Sequence, residues 1–308
     1  MKRRSLLQAT AALGTGSVLA AVQGAPRQAA GQSQAGTTMP QEQATTQSAA
    51  RFFQDDDFNF VFLTMLGGAY YGVADVGACL AIADQIQDGD AASAVQAMTA
   101  AGERLAAIAD QAAAAGRRVS ACQAYLQAAN YTFGATYFID RMGAPDRFAP
   151  IWLRHQALWD QGAALLDPPM EHVRIPYEGT TLPGFLFKVD DSGRRRPLLI
   201  FNNGSDGSLV NAWFQGVAPA LERGYNCLTF YGPGQGTALL QQGLYFRPDW
   251  EQVLTPVVDY ALTRPEVEPQ QLVVLGLRGQ LEIPCSYAPE ASLVIEQSPV
   301  HYATYGHC

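Results

Sequence analysis

The sequence predicts an α/β protein, a block of helices followed by part of a mostly parallel, doubly wound sheet. Three observations carry this expectation. From Arg51 to about Asp167 apolar residues recur at helical spacing, and no strand-like run interrupts them. At Met170 the period changes to extended. From there strand, helix, strand, helix and strand alternate, the pattern of parallel strands joined by right-handed crossovers.

Length and composition bound the function. The chain has 308 residues, 48% hydrophobic and 16% charged, enough for a sizeable core in one or two domains. A net charge of −8 argues against nucleic acid as a partner, because phosphate binding needs clustered Lys and Arg. The five cysteines are Cys79, Cys122, Cys227, Cys285 and Cys308. They form no C-x-x-C pair, and no Cys/His spacing resembles a zinc site. No metal and no cofactor is therefore predicted. The thiols read as buried or incidental, with a disulfide or a reactive thiol as the alternative.

The first segment reads as an address. Lys2, Arg3 and Arg4 precede a mildly apolar, Ala/Gly/Thr-rich run to Val22, with small residues near Gly24-Ala25. This describes a secretory signal peptide over 1–24, and the adjacent arginines resemble a twin-arginine signal. The run is too short and too rich in Gly and Thr for a membrane anchor. The expected location is periplasmic or secreted. Residues 25–50 are rich in Gln, Ala, Thr and Ser and read as a flexible linker.

Residues 51–169 are predicted as a helical domain. Asp55-Asp56-Asp57 suits a solvated helix start, where acids favour the dipole; cation binding is the alternative. Phe58, Val61, Phe62, Met65 and Leu66 then recur at helix spacing. A second helix runs from about Asp90 to Ala115, with Val95, Met98, Leu105 and Ile108 on one face, after a turn and cap at Asp88-Gly89-Asp90. A third spans Ser120 to Ile139 and a fourth Ile151 to Leu166, the latter with Trp152 and Trp159. The aromatics Tyr70, Tyr71, Tyr125, Tyr131, Tyr137 and Trp159 suit either core packing or the lining of a small-molecule pocket.

Residues 170–280 carry the sheet. His172 to Ile175 and Leu182 to Phe187 flank Tyr177-Glu178-Gly179-Thr180, a hairpin. Pro197 to Phe201 is a short apolar run, as expected of a buried parallel strand. The loop Asn202 to Ser208 follows, then a helix from Asn211 to Arg223 capped by Gly224. Tyr225 to Tyr231 is the next strand, and Gly232-Pro233-Gly234-Gln235-Gly236 a tight loop. A helix from Asp249 to Thr263, with Asp249 as N-cap, leads through a turn at Pro265–Gln270 to a third strand at Leu272–Leu275.

Gly204-Ser205-Asp206-Gly207, then Tyr231-Gly232-Pro233-Gly234-Gln235-Gly236, Arg247-Pro248-Asp249-Trp250 and Val273-Val274-Leu275-Gly276 together resemble the α/β-hydrolase superfamily. The nearest branch in style has a helical N-terminal cap and includes pseudooxynicotine-type carbon–carbon hydrolases, esterases and acyl-peptidase-like proteins. The resemblance covers about Arg51 to Leu277. It implies an incomplete α/β-hydrolase sheet preceded by an all-helical cap domain. It also implies that backbone N–H groups at Gly204 and Ser205 line an oxyanion hole, with Gly279 as the second donor. The Gly232–Gly236 loop then shapes the floor of the site.

The departures concern the catalytic centre. A serine is expected on a strand-to-helix turn, G-x-S-x-G, directly after Leu272–Leu275. Gly276 fits, but the serine's position holds Arg278, Gly279 falls one place early, and Gln280 stands where the second glycine belongs. A guanidinium does not act as a nucleophile. After Gln280 there is no Asp; Glu282, Glu290 and Glu296 are the carboxylates, and His301 and His307 the histidines. Ser286 lacks flanking glycines. The expectation is that the family sequence ends near Leu277 and that 281–308 is an atypical, replaced tail. A genuine short variant, and a shifted site using His301 or His307, are the alternatives. Two function classes stay open: an exported serine hydrolase of ester, amide or carbon–carbon bonds, truncated and inactive in this chain, or a non-catalytic binding or interaction protein using the helical domain.

Overall fold

A computed structural model describes residues 51–276. Arg278, Gly279, the tail and the N-terminal address and linker lie outside the described residues.

The helical block holds α1 (Asp56–Gly67), α2 (Val76–Ala83), α3 (Ala91–Ala114), α4 (Arg118–Gly134) and α5 (Phe148–Ala163). Each early start has a side-chain cap. Asp55 accepts from the Asp57 and Phe58 amides, Asp75 from Ala78 and Asp90 from Ala92, each satisfying an amide that the helix leaves unpaired. Arg141 holds the Asp55 carboxyl at about 2, below the usual carboxylate range. Among the described residues no three His, Cys, Asp or Glu side chains converge on a metal position, and no helix is long and apolar enough to cross a membrane.

The long α3 packs on α4 through small residues. A Cβ on Gly102 would fall 2.2 Å from Thr132 Oγ1, so the two backbones meet where only glycine fits. Of the expected inward face, Val95 and Met98 are buried and Leu105 is partly buried, but Ile108 is 54% exposed and is corrected to the outer surface. Ala94, Ala101, Ala106 and Ala109 are buried beside them, where the helices approach closely. The third helix is also shorter than expected, tightening after Gly134 into a 3-10 turn at Ala135–Phe138.

The sheet has five strands, β1 (Glu171–Tyr177), β2 (Thr180–Phe187), β3 (Arg196–Asn202), β4 (Asn226–Phe230) and β5 (Val267–Gly276), in the order β1-β2-β4-β3-β5. β1 and β2 form the expected hairpin. Glu178 and Gly179 both have positive φ, 38° and 80°, the backbone that a twisted two-residue turn demands. β2 meets β4 antiparallel, while β3 is parallel to both β4 and β5. β5 starts at Val267, inside the stretch expected to be a turn. Its polar residues Glu268, Gln270 and Gln271 hide the strand from periodicity, but Arg196 still pairs with Val267 across an irregularity in which the extra residues lie on β5.

The crossover after β3 is not one regular helix. It comprises α6 (Leu209–Ala212), a π-helical turn (Trp213–Val217) and α7 (Ala218–Glu222). Pro219 has no N–H to continue the ladder, and Gly216 sits where a Cβ would lie 2.2 Å from the Phe201 ring. After β4 come α8 (Gly236–Leu240) and α9 (Glu251–Thr263). Asp249 does not cap α9 through its side chain. Its carboxylate is taken by Arg247, at 2.6 Å from Nε, and Trp250 occupies the cap position.

Helices cover both faces of the sheet. Tyr125, Leu126, Trp152 and Trp159 of α4 and α5 share one apolar cluster with Phe185, Phe187, Phe201 and Tyr231. Val253, Val257 and Ala261 of α9 pack on the other face against Ile200, Leu228 and Phe230. A second cluster lies within the helices, around Phe58, Phe62, Met98 and Phe138.

Candidate active site

The parallel strands β4, β3 and β5 end side by side. Asn202, the last residue of β3, pairs with Phe230 on one side and Gly276 on the other. Ligand sites of open α/β sheets lie beyond such carboxyl ends. The loop carrying Gly204 and Ser205 therefore leaves the sheet between the exits of β4 and β5.

The β3 loop, 203–208, is held by its own side chains. Asn203 Nδ2 donates to the Ser208 carbonyl at 2.7 Å, and Asn203 Oδ1 accepts from the Gly204 amide at 2.9 Å. The Gly204 N–H is thus turned into the loop, and Gly204 serves as an oxyanion donor only if that bond is released. Gly207 follows from the same packing, since a Cβ there would lie 2.2 Å from Asn203 Oδ1. Asn211 Oδ1 accepts from the Ser208 amide at 3.2 Å and closes the start of α6.

Gln235 staples this loop to the next one. It is 3% exposed, its Nε2 donates to the carbonyls of Asn203 (2.7 Å) and Gly204 (3.1 Å), and its Oε1 accepts from the Gly232 amide (2.9 Å). The Gly232–Gly236 loop can turn this tightly because Gly234 and Gly236 have positive φ, 83° and 40°. Pro233, just before Gly234, borders a cavity of about 400 Å³ shared with Tyr177, Leu244, Tyr245 and Arg247.

The helices roof the strand exits. The Tyr231 hydroxyl, buried at the end of β4, accepts from the Leu209 amide at 3.3 Å and donates to Gln156 Oε1 of α5 at 3.1 Å. The Trp152 ring lies 5.7 Å from that of Tyr231. His155 on the same helix is fully buried between Phe133 and Trp152, and its Nδ1 is bonded to the Trp152 carbonyl. Its Nε2 has no hydrogen-bond partner among the described residues, and burial pulls its pKa down to about 3. Asp206 is solvent-accessible, yet the protein crowding its carboxyl raises its pKa, and its charge joins burial in raising that of Tyr137.

Of the aromatics singled out in the sequence, Tyr125, Tyr131 and Trp159 are core, Tyr70 is 81% exposed, and Tyr137 stands by the β3 loop. Cys79, Cys122 and Cys227 are free thiols, and burial pushes Cys79 up to about 11. Sequence reasoning missed Asn203, Tyr231 and Gln156. Tyr231 borders the glycine loop and Asn203 precedes Gly204, so both carried a positional signal. Gln156 carried none.

No protein-family model matches the chain. Curated relatives are fungal: hydrolase acrC of Aspergillus aculeatus is 38% identical over 68% of this chain and 52% of its own length. Hydrolase LUC6 of a Fusarium species is 34% identical over 80% of this chain and 61% of its own length. The 20-hydroxy-prefusarin hydrolase FUS2 of Gibberella moniliformis gives the same figures, 34%, 80% and 61%. Among solved structures, 2,6-dihydroxy-pseudo-oxynicotine hydrolase superposes with a TM-score of 0.58 at 20% identity, over 68% of this chain and 57% of that one. The chain belongs to the α/β-hydrolase superfamily. It spans between 52% and 61% of the length of these curated relatives. In a hydrolase of this fold the loop after β3 lends one amide to the oxyanion hole, and the residue after the nucleophile lends the other. The described residues of this chain include the loop after β3, and Gly279 lies outside them.

Proposed function

We propose that this protein is an exported α/β hydrolase whose site was built to hydrolyse an ester, amide or activated carbon–carbon bond at the exits of β3, β4 and β5. In this chain serine catalysis is not completed, because Arg278 stands at the nucleophile position. The observation that carries the reading is the pairing of Asn202 with Gly276, which sets the Gly204-Ser205 loop beside the strand that leads to position 278. Amides rigidly aimed at a developing oxyanion, and a nucleophile on the neighbouring turn, are the two parts acyl hydrolysis needs. The staple from Gln235 fixes the loop that would carry the first part, once the Gly204 amide is released from Asn203 Oδ1. A permanently charged guanidinium denies the second.

The test is covalent labelling. A fluorophosphonate probe should leave the wild type unlabelled, and a p-nitrophenyl ester should turn over only at background. Arg278→Ser tests the same position: labelling of that variant at residue 278 would show that the guanidinium alone blocks the site. Robust labelling of the wild type, mapped to Ser286 or any other serine, would overturn the inactive reading. Export is tested separately. The N-terminus of mature protein should lie near Ala25–Gln32, and intact Met1 in an exported fraction would count against cleavage.

A further inference from the structure

One continuous line of hydrogen bonds runs from the surface of β1 to the loop after β3. His172 Nε2, on β1, lies 3.4 Å from Asp160 Oδ1 on α5. The same Asp160 oxygen accepts from Gln156 Nε2 at 3.0 Å, one helical turn back. Gln156 Oε1 accepts from the Tyr231 hydroxyl at 3.1 Å, and the Tyr231 oxygen accepts from the Leu209 amide at 3.3 Å. Every donor in this line points toward one carboxylate. Such chains polarise one another, more strongly in a dry interior, and Tyr231 and Gln156 are 2% and 7% exposed. The Asp160 charge is felt at the far end of the first three links, where it joins burial in raising the Tyr231 hydroxyl.

We propose that His172, Asp160, Gln156 and Tyr231 form a positioning relay that couples the protonation of an accessible imidazole to the amide that opens α6, and so to the Gly204-Ser205 loop. Its catalytic meaning rests on the hydrolase reading above; its existence does not. When His172 is neutral, Asp160 pulls fully on Gln156, and the line holds the Leu209 amide firmly. When His172 carries its proton, the imidazolium competes for the same oxygen, and the pull on Gln156 weakens. The groups around His172 leave Asp160 as its facing charge. β2 brings Phe185, which is apolar and 5.4 Å away ring to ring. On its own strand Arg174 shares its face two residues on, and Glu171 is held by Arg264, which follows α9. Asp160 raises the imidazole above its ordinary value, so the relay would switch at a higher pH than a free imidazole titrates.

The experiment is a pH titration of this chain by NMR, following the His172 ring and the Leu209 amide together. The Leu209 amide should titrate with the midpoint of the His172 ring. In Tyr231→Phe the ring should still titrate at its raised midpoint, while the amide response is lost. If Tyr231→Phe fails to fold, Gln156→Met cuts the same line at the next link and should give the same loss. In His172→Gln the amide should not respond over that range. A Leu209 amide indifferent to pH while His172 titrates, or one that still follows His172 after the line is cut, would overturn the relay. No readout uses catalysis, so failure here leaves the hydrolase reading standing, and unexpected probe labelling leaves the relay standing.

Discussion

The two ends of the parallel strands are built from different chemistry. At the carboxyl ends, Asn203, Gln235, Tyr231 and Gln156 are neutral, buried and bonded to backbone groups or to each other. At the amino ends, Arg196 is bonded to Asp190, Arg264 to Glu171 and Glu266, and Lys188 to Asp191, around a cavity of about 200 Å³. A buried amide fixes direction, since its donor and acceptor atoms each need partners in set positions. A half-exposed ion pair fixes little more than proximity and is screened by salt. The end where the proposed site lies uses the first chemistry. The end that only closes the sheet uses the second.

The largest expected effect is at Gln235. Gln235→Leu keeps the volume but strands two carbonyls and one amide in a buried place. The cost should be about 3 kcal/mol, read as a lower urea midpoint at unchanged slope. A loss below about 1 kcal/mol would mean that the two loops do not need their staple.

A pH scan probes the same end next. His155 is buried neutral, with its pKa lowered from 6.5 to about 3. Between those values the unfolded chain binds a proton that the folded chain refuses. The stability is therefore complete above pH 6.5 and is lost as pH falls toward 3, at up to about 1.4 kcal/mol per unit. From pH 6.5 to 5 the loss should reach about 2 kcal/mol, and His155→Leu should flatten that slope. A slope unchanged in the variant would move the titration to another group. His172 has the opposite sign, since its raised folded value adds stability that is lost as pH rises, and its exposure keeps the contribution small.

What was legible in the sequence was local. The Glu178-Gly179 turn, the apolar run into β3 and the glycine loop after β4 are each decided by residues within a few positions of one another. Val267 as a strand start, the π-helical turn and the exposure of Ile108 are not local. They depend on pairing with Arg196, on the Phe201 ring under Gly216, and on Thr132 against Gly102. The site divides in the same way. Gly204, Ser205 and Gly232–Gly236 were visible as motifs, whereas the bond from Tyr231 to Gln156 joins residues 75 apart, and only packing brings them together.

The smallest effect should come from the amino end, where Arg264 is the most demanding case. Its side chain is 23% exposed and that of Glu266 is 11% exposed, so this pair is better shielded than its neighbours. The two carboxylates hold the guanidinium firmly protonated even though burial pulls the other way. Arg264→Gln removes both partners' cation but leaves an amide able to bond one carboxylate. The Glu266 charge is then partly buried and uncompensated, while the Glu171 charge is exposed enough to be hydrated. The net cost should be about 1 kcal/mol. The discriminating measurement is its salt dependence. Raising ionic strength shortens the screening length to a few ångströms and should narrow the gap between wild type and Arg264→Gln. The gap between wild type and Gln235→Leu should not move, because no formal charge is involved. If Arg264→Gln costs as much as Gln235→Leu and is equally deaf to salt, the amino end is as directional as the carboxyl end, and the contrast between them fails.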